Sequence, residues 1–214
     1  MKSKYTPMLL LLSFFIAGAS QATLITVDPG NGTTTAFTQT GVNSSAGPVV
    51  VDGISISGDP QFYYGDAPYG LATNGSWNSS WVATNSPSST ITFDLGGLFG
   101  FVGGFMNYAV LDSGLPYGNN PIIEALGFDM AVLETYDLHT LAAISTPGAT
   151  NGGAFRGIQR AEADISFFRI SGGYILTRDL TIGSSPAQPV PVPATLALFG
   201  LGLLGLGCSR RKKA

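Results

Sequence analysis

Between residues 49 and 183 the apolar positions either alternate with polar ones or run for four to eight residues, and glycine, asparagine or proline separates the runs. Side chains alternate between faces along a strand, so this pattern predicts strands with a buried face. Val49-Val50-Val51 and Ile54-Ser55-Ile56-Ser57 flank Asp52-Gly53. That dipeptide supplies the positive φ of a type I′ hairpin turn. Residues 89–95 (STITFDL) alternate and stop at the turn Gly96-Gly97, after which 99–106 resume. Residues 122–126 and 130–136 flank Gly127-Phe128-Asp129, and 165–170 and 174–182 flank Ser171-Gly172-Gly173. Both read as hairpins. Residues 31–47, rich in Thr, Ser, Asn and Gly, read as a loop or as irregular first strands. The predicted fold class is all-β, a β-sandwich or jelly roll over residues 23–183.

Two end segments break the pattern. Behind Lys2 and Lys4, residues 8–17 (MLLLLSFFIA) form an apolar run followed by Gly18-Ala19-Ser20-Gln21-Ala22. Basic, apolar and small residues in that order make a signal peptide of residues 1–22, with Ser20 and Ala22 fitting the peptidase pockets before Thr23. Ala17 and Ala19 offer a second site, before Ser20. The expected partners are the export machinery and signal peptidase. At the other end, residues 184–193 are a Pro-rich linker, extended because each proline biases its predecessor away from the helix. Residues 194–209 then read as a single transmembrane helix. The fifteen apolar residues 194–208 rise about 22 Å, short of a ~30 Å hydrocarbon core by a mismatch that local thinning covers. Arg210, Arg211, Lys212 and Lys213, in the basic tip 210–214, stop transfer and stay in the cytoplasm. The body is therefore expected outside an inner membrane, and in the envelope or extracellular space once the tail is cleaved.

Pro191-Val192-Pro193, the short Leu/Gly-rich span and the terminal Arg/Lys cluster together resemble a PEP-CTERM protein-sorting signal. Val192 stands where the family usually has glutamate, as in a valine/leucine-containing variant. The resemblance implies an exosortase-like sorting enzyme as partner, in a Gram-negative bacterium that makes exopolysaccharide. Residues 92–95 (TFDL), 102–108 (VGGFMNY), 133–138 (LETYDL) and 151–157 (NGGAFRG) resemble a recurrent body of PEP-CTERM proteins. Arg178-Asp179-Leu180-Thr181-Ile182 is similar to the last strand of many jelly-roll modules. This likeness implies a β-sandwich and brings no catalytic motif.

Charge narrows the possible partners. The chain has net charge −3, but six of its ten basic residues lie in the two end segments. Between them stand only Arg156, Arg160, Arg169 and Arg178 against all thirteen acids, so the body carries −9 and no lysine. Tracking a phosphate backbone needs clustered Lys/Arg, which excludes nucleic acid as a partner. Polyanions are repelled as well, leaving neutral glycans, or acidic ones linked by calcium, as compatible polysaccharides. The sole cysteine, Cys208, falls in the apolar tail, so the body folds without disulfides. At about 160 residues it can bury a sufficient core.

No catalytic constellation is expected. His139 is the sole histidine, with Asp137 two residues earlier, and no G-x-S-x-G elbow or cysteine-containing zinc pattern accompanies it. Glu124 or Glu134, paired with a second carboxylate from among Glu162 and the ten aspartates, would serve an alternative, a polysaccharide-active glycoside hydrolase, which needs two at a set separation. Asp59, Asp66 and Asp112, in turn-rich stretches, supply oxygen ligands for a second alternative, a calcium-stabilised adhesin. Calcium is the one cofactor considered, and no residue set for it stands out. Residues 62–81 hold Phe62, Tyr63, Tyr64, Tyr69, Trp77 and Trp81 among Gly, Asn and Ser. Trp77, Trp81 and Tyr69 are the candidate ligand-binding residues, because aromatic faces with polar neighbours stack on sugar rings. The competing role for the same side chains is the core of the sandwich. The leading expectation is a non-enzymatic exported protein, structural or adhesive, with carbohydrate contact.

Overall fold

Seventeen strands and one short helix arise from residues 22–184, the part of the chain that this computed structural model describes. In chain order the first are β1 (Thr23–Ile25), β2 (Thr33–Ala36), β3 (Val42–Ser45), β4 (Val49–Val51), β5 (Ile54–Asp59) and β6 (Phe62–Gly65). Next come β7 (Tyr69–Gly70), β8 (Ser76–Trp77), β9 (Trp81–Thr84), β10 (Thr90–Phe99), β11 (Phe101–Asn107) and β12 (Ile122–Leu126). The last are β13 (Val132–Asp137), α1 (Leu138–Leu141), β14 (Ala154–Gln159), β15 (Ile165–Ser171), β16 (Leu176–Thr177) and β17 (Asp179–Gly183). The signal peptide, Pro191-Val192-Pro193, the apolar span and Arg210, Arg211, Lys212 and Lys213 all lie outside the described residues. Among the described residues no helix is long and apolar enough to cross a membrane.

Apart from α1 the described residues are all-β, as expected. A nine-stranded sheet runs β1-β14-β11-β16-β9-β6-β3, with β17 beside β11 and β2 beyond it. A six-stranded sheet runs β13-β12-β15-β10-β5-β4, and β7 and β8 form a small separate ribbon. The two large sheets share one core, the arrangement expected of a sandwich. In β10 the side chains Ile91, Phe93 and Leu95 are buried while Asp94 is exposed, the period of two at work. Phe93 stacks on Phe168 of β15 and on Phe37, with ring centroids 6.2 and 6.1 Å away. Val102, Met106, Ile158 and Leu180 from the nine-stranded sheet complete the same cluster. Each such fully buried side chain contributes roughly 1.5–3 kcal/mol.

Two predicted hairpins form and one does not. β4 and β5 pair around Asp52 and Gly53, whose φ values of 49° and 87° are those the turn requires. β12 and β13 pair across residues 127–131. By contrast, 165–170 and 174–182 are not partners: β15 pairs with β10 and β12, whereas β16 and β17 belong to the other sheet. Gly172, at φ +75°, turns the chain out of the sheet where any Cβ would collide with the Asn120 carbonyl. Gly96-Gly97 does not end its strand either. β10 continues to Phe99 through an irregular register, and the chain changes sheet at Gly100.

β11 defines the two ends of the body. At Phe101 it pairs with Gly183, and the Gly100 N–H donates to the Gly183 carbonyl at 2.8 Å, where the chain leaves the fold. Asn107 lies about 20 Å away at ~3.3 Å per residue. There the turns around 72–75, 109–117, 142–152 and 172–174 gather, joined by bonds among Asn74, Asn107, Thr146 and Gly152 and between Ala109 and Gly173.

Candidate functional site

The loop end is built on buried amides. The β7–β8 ribbon pairs Tyr69 with Trp77 and Gly70 with Ser76, which fixes the turn carrying Asn74. Asn74 is only 3% exposed. Its Nδ2 donates to Asn107 Oδ1 (2.7 Å), the Tyr108 carbonyl (3.0 Å) and the Ile144 carbonyl (3.1 Å), and its Oδ1 accepts from the Thr146 N–H at 2.6 Å. Asn107 Nδ2 in turn donates to Thr146 Oγ1 and the Gly152 carbonyl. A strand end, a turn and the 142–152 segment are thus held by neutral groups. Arg156 braces that segment from β14. Its guanidinium is buried without a carboxylate and donates to the carbonyls of Ala142 (2.7 Å), Phe155 (2.8 Å) and Ala143 (3.0 Å). Burial pulls its pKa below the ordinary arginine value.

These supports shape a cleft of about 220 Å³ lined by Thr73, Tyr108, Val110, Asp112, His139 and Ser145, among others. Burial pushes the Tyr108 hydroxyl up in pKa, and its oxygen accepts from the Ile144 N–H at 3.1 Å. The loop 109–117 forms one wall, closed by Leu111 N–H to the Leu115 carbonyl and Tyr117 N–H to the Ala109 carbonyl. Across that wall is a second, shallower depression, lined by Gly70, Ala72, Ala109, Tyr117 and Tyr174. Tyr117 is 44% exposed, and its ring meets that of Tyr174 edge-on at 5.2 Å. Tyr174 holds φ +47°, a strained value for a side chain of its size. Neither tyrosine was legible as a site residue, because only the fold brings residues so far apart in sequence together.

The candidate sugar-stacking residues occupy a different environment. Trp77 and Trp81 are 0% and 2% exposed and pack with Leu71, Ala83 and Leu176. Tyr69 is half-buried, lies 5.0 Å from the Trp81 ring and donates its hydroxyl to the Thr84 carbonyl. Protein covers the faces that a sugar needs, so the two tryptophans are core. They differ in one respect: Trp81 Nε1 donates to the Ala67 carbonyl at 2.8 Å, whereas Trp77 Nε1 is buried without a partner. Trp81→Phe is therefore expected to destabilise the body by about 1–2 kcal/mol more than Trp77→Phe. Urea denaturation reads the order directly, and equal losses would mean the Trp81 bond contributes nothing.

The glutamates do not pair with one another. Thr135 lies opposite Glu124 and Ala125 opposite Glu134, so the two carboxylates point to opposite faces of the sheet. Glu124 accepts from Arg169 at 2.6 Å, and Glu134 accepts from Arg160 at 2.6 Å. Arg160 also grips Asp164 through two bonds of 2.6 and 2.9 Å. Neither glutamate lines the cleft, and the carboxylate that Glu134 does meet, Asp164, is joined to it through Arg160. Asp137 caps α1 by accepting from the Thr140 N–H, and also accepts from Asn120. Burial raises its pKa, but these bonds outweigh burial and hold it below the usual carboxylate value. Asp66 accepts from the Gly41 N–H. Among the described residues no three His, Cys, Asp or Glu side chains gather where a metal could bind.

Arg178 completes the set of cations, bonding Asp179 at 3.0 Å and lying 4.2 Å over the Phe105 ring. All four arginines of the body are thus engaged within it. Among the described residues, nine of the thirteen carboxylates have no cationic partner. The outer surface is correspondingly anionic.

The chemistry of the far C-terminus is what known families recognise. The PEP-CTERM protein-sorting motif matches residues 189–212, a stretch that begins six residues beyond Gly183 and contains Pro191-Val192-Pro193 and most of the basic tip. The chain carries this motif, the mark of a protein that is exported, anchored in a membrane by its C-terminal tail and processed by an exosortase-type enzyme. No curated protein and no solved structure matches the chain.

Proposed function

We propose that the chain is a non-enzymatic protein of the cell envelope or extracellular matrix whose loop end contacts neutral carbohydrate. The observation that carries this reading is the polarity of the body. The sorting motif follows the end at Gly183, and the cleft and the tyrosine pair lie at the other end. A body held by its tail then presents those loops outward. The Tyr117 ring offers an apolar face of the kind a pyranose ring covers, and the cleft beside it has hydroxyl and amide groups to orient the neighbouring residues of a glycan. Neutral polymers are favoured because the arginines are all engaged and the surface repels polyanions.

The test is glycan-array binding by the full chain in detergent, with and without EDTA. Neutral glycans are expected to bind, and Tyr117→Ala to weaken that binding about tenfold, the scale of one lost aromatic contact. Trp77→Phe is expected to leave it unchanged. Binding confined to anionic glycans in EDTA, or unaltered by Tyr117→Ala, would overturn the reading. Removal of residues 189–212 is expected to shift the protein from the membrane fraction to the soluble exported fraction. A truncated chain that stays with the membrane would contradict the role of the tail.

A further inference from the structure

We propose that the end of the body at which the chain leaves the fold carries a lipid-facing patch, formed by Leu98, Phe128, Met130 and Val132, that rests on the zwitterionic surface of the membrane holding the tail. The proposal rests on the tail being membrane-anchored and concerns the body rather than the tail.

Leu98 and Phe128 line one open depression of about 320 Å³ together with Asp94, Gly97, Ser166 and Phe167. Phe128 is 82% exposed and Leu98 59%, and Met130, on the same turn as Phe128, and Val132, which opens β13, are exposed as well. That turn is well tied. The Gly127 N–H donates to the Ala131 carbonyl, the Met130 N–H to the Gly127 carbonyl, and Asp129 Oδ1 accepts from the Ala131 N–H. The apolar side chains are therefore held out by an ordered backbone. Folding alone gives no reason for a cluster of large apolar side chains on a solvated turn, and such patches mark interaction surfaces.

The position of the patch selects the occupant. Leu98 lies two residues from Gly100, at most about 7.6 Å along the chain, and Gly100 is bonded to Gly183. The apolar span begins at Ala194, eleven residues along from Gly183, a reach of at most roughly 40 Å. The patch is thus at the end of the body that the tail keeps close to the bilayer. Tethering supplies a high effective concentration, so a contact too weak to recruit a free protein still forms. A second copy is a poorer occupant, because neighbours tethered in one membrane turn this end in the same direction. Asp94 lines the depression, Asp129 stands between Phe128 and Met130 in the chain, and the body has no lysine, so the surface it accepts is zwitterionic rather than anionic.

The test uses the full chain in phosphatidylcholine vesicles, with Cys208→Ala removing the sole cysteine and Ala131→Cys carrying an environment-sensitive fluorophore. Ser113→Cys, in the loop at the far end, is the control. Brominated lipid is expected to quench the label at 131 at least threefold more than the label at 113. Phe128→Ser with Leu98→Ser is expected to abolish the difference while circular dichroism stays that of the parent. Equal quenching at the two sites in vesicle-bound protein would overturn the patch and leave the anchor standing. Loss of the chain from floated vesicles would overturn both. Shielding of position 131 that tracks protein density and ignores brominated lipid would assign the patch to a second copy and overturn the lipid proposal.

Discussion

Asn74→Asp is expected to unfold the loop end more completely than Asn74→Ala, although it is the smaller chemical change. Alanine leaves the Thr146 N–H and several carbonyls buried without their partner, at about 1–3 kcal/mol for each group that stays unsatisfied and roughly 3–4 kcal/mol in all. Aspartate keeps the acceptor for Thr146. It replaces the Nδ2 donor, however, with an oxygen facing Asn107 Oδ1 and the carbonyls of Tyr108 and Ile144. At 3% exposure water cannot relieve that repulsion, so a further ~1–2 kcal/mol is expected at neutral pH. Against a total of about 5–15 kcal/mol for a domain, either change removes much of the stability. The sign with pH is distinctive. A buried carboxyl facing acceptors has its pKa raised in the folded state, so its contribution is present at low pH and lost as pH rises through the folded value. Acidification should therefore narrow the gap between the two variants. Urea denaturation at pH 7 and pH 4.5 measures it, with hydrogen exchange at residues 108–110 and 142–152 locating the damage. An Asn74→Asp protein as stable as the parent at pH 7 would refute the assignment of Asn74 as the hub.

The elements legible in sequence are those specified locally. Asp52-Gly53 encodes its own turn, and that turn brings β4 and β5 together. The β12–β13 hairpin is legible for the same reason. The path of the chain after β10 and after β15 is not, because a glycine-containing break looks alike whether the chain returns to its own sheet or crosses to the other. At Gly172 the decision belongs to Asn120, which is distant in sequence and backs the turn. The tryptophans show the same limit at the site. Aromatics among Gly, Asn and Ser suit both a lectin face and a core, and only burial separates the two. Asn74, within Asn-Gly-Ser, reads as ordinary loop, since its partners come from segments far along the chain. The −9 charge of the body was legible by counting, and the engagement of every arginine was not. The sorting tail is the opposite case: its chemistry is contiguous, so the sequence alone identifies it.

Arg156→Lys is expected to destabilise the body by about 2 kcal/mol and Arg156→Ala by about 3–4 kcal/mol, in each case by releasing the 142–152 segment. The guanidinium reaches three carbonyls at once because its donors fan out in a plane, with Nε on Ala142, Nη2 on Ala143 and Nη1 on Phe155. An ammonium on a flexible stem cannot span those directions, and with no carboxylate beside it the buried charge loses solvation without recovering a counter-ion. The bonds join a charge to neutral dipoles in a buried place, so their contribution should change little between low salt and 0.5 M salt. The partly exposed Arg160–Glu134 pair differs, and Glu134→Gln should cost less as salt rises. Limited proteolysis provides the structural readout, since both Arg156 variants should become susceptible within 138–153 while the rest of the body stays resistant. The same experiment separates support from recognition. If Arg156 served to hold an anionic ligand, Arg156→Lys would keep stability and alter binding alone. If it holds the cleft wall, stability falls first, and glycan binding falls only as far as the wall is lost.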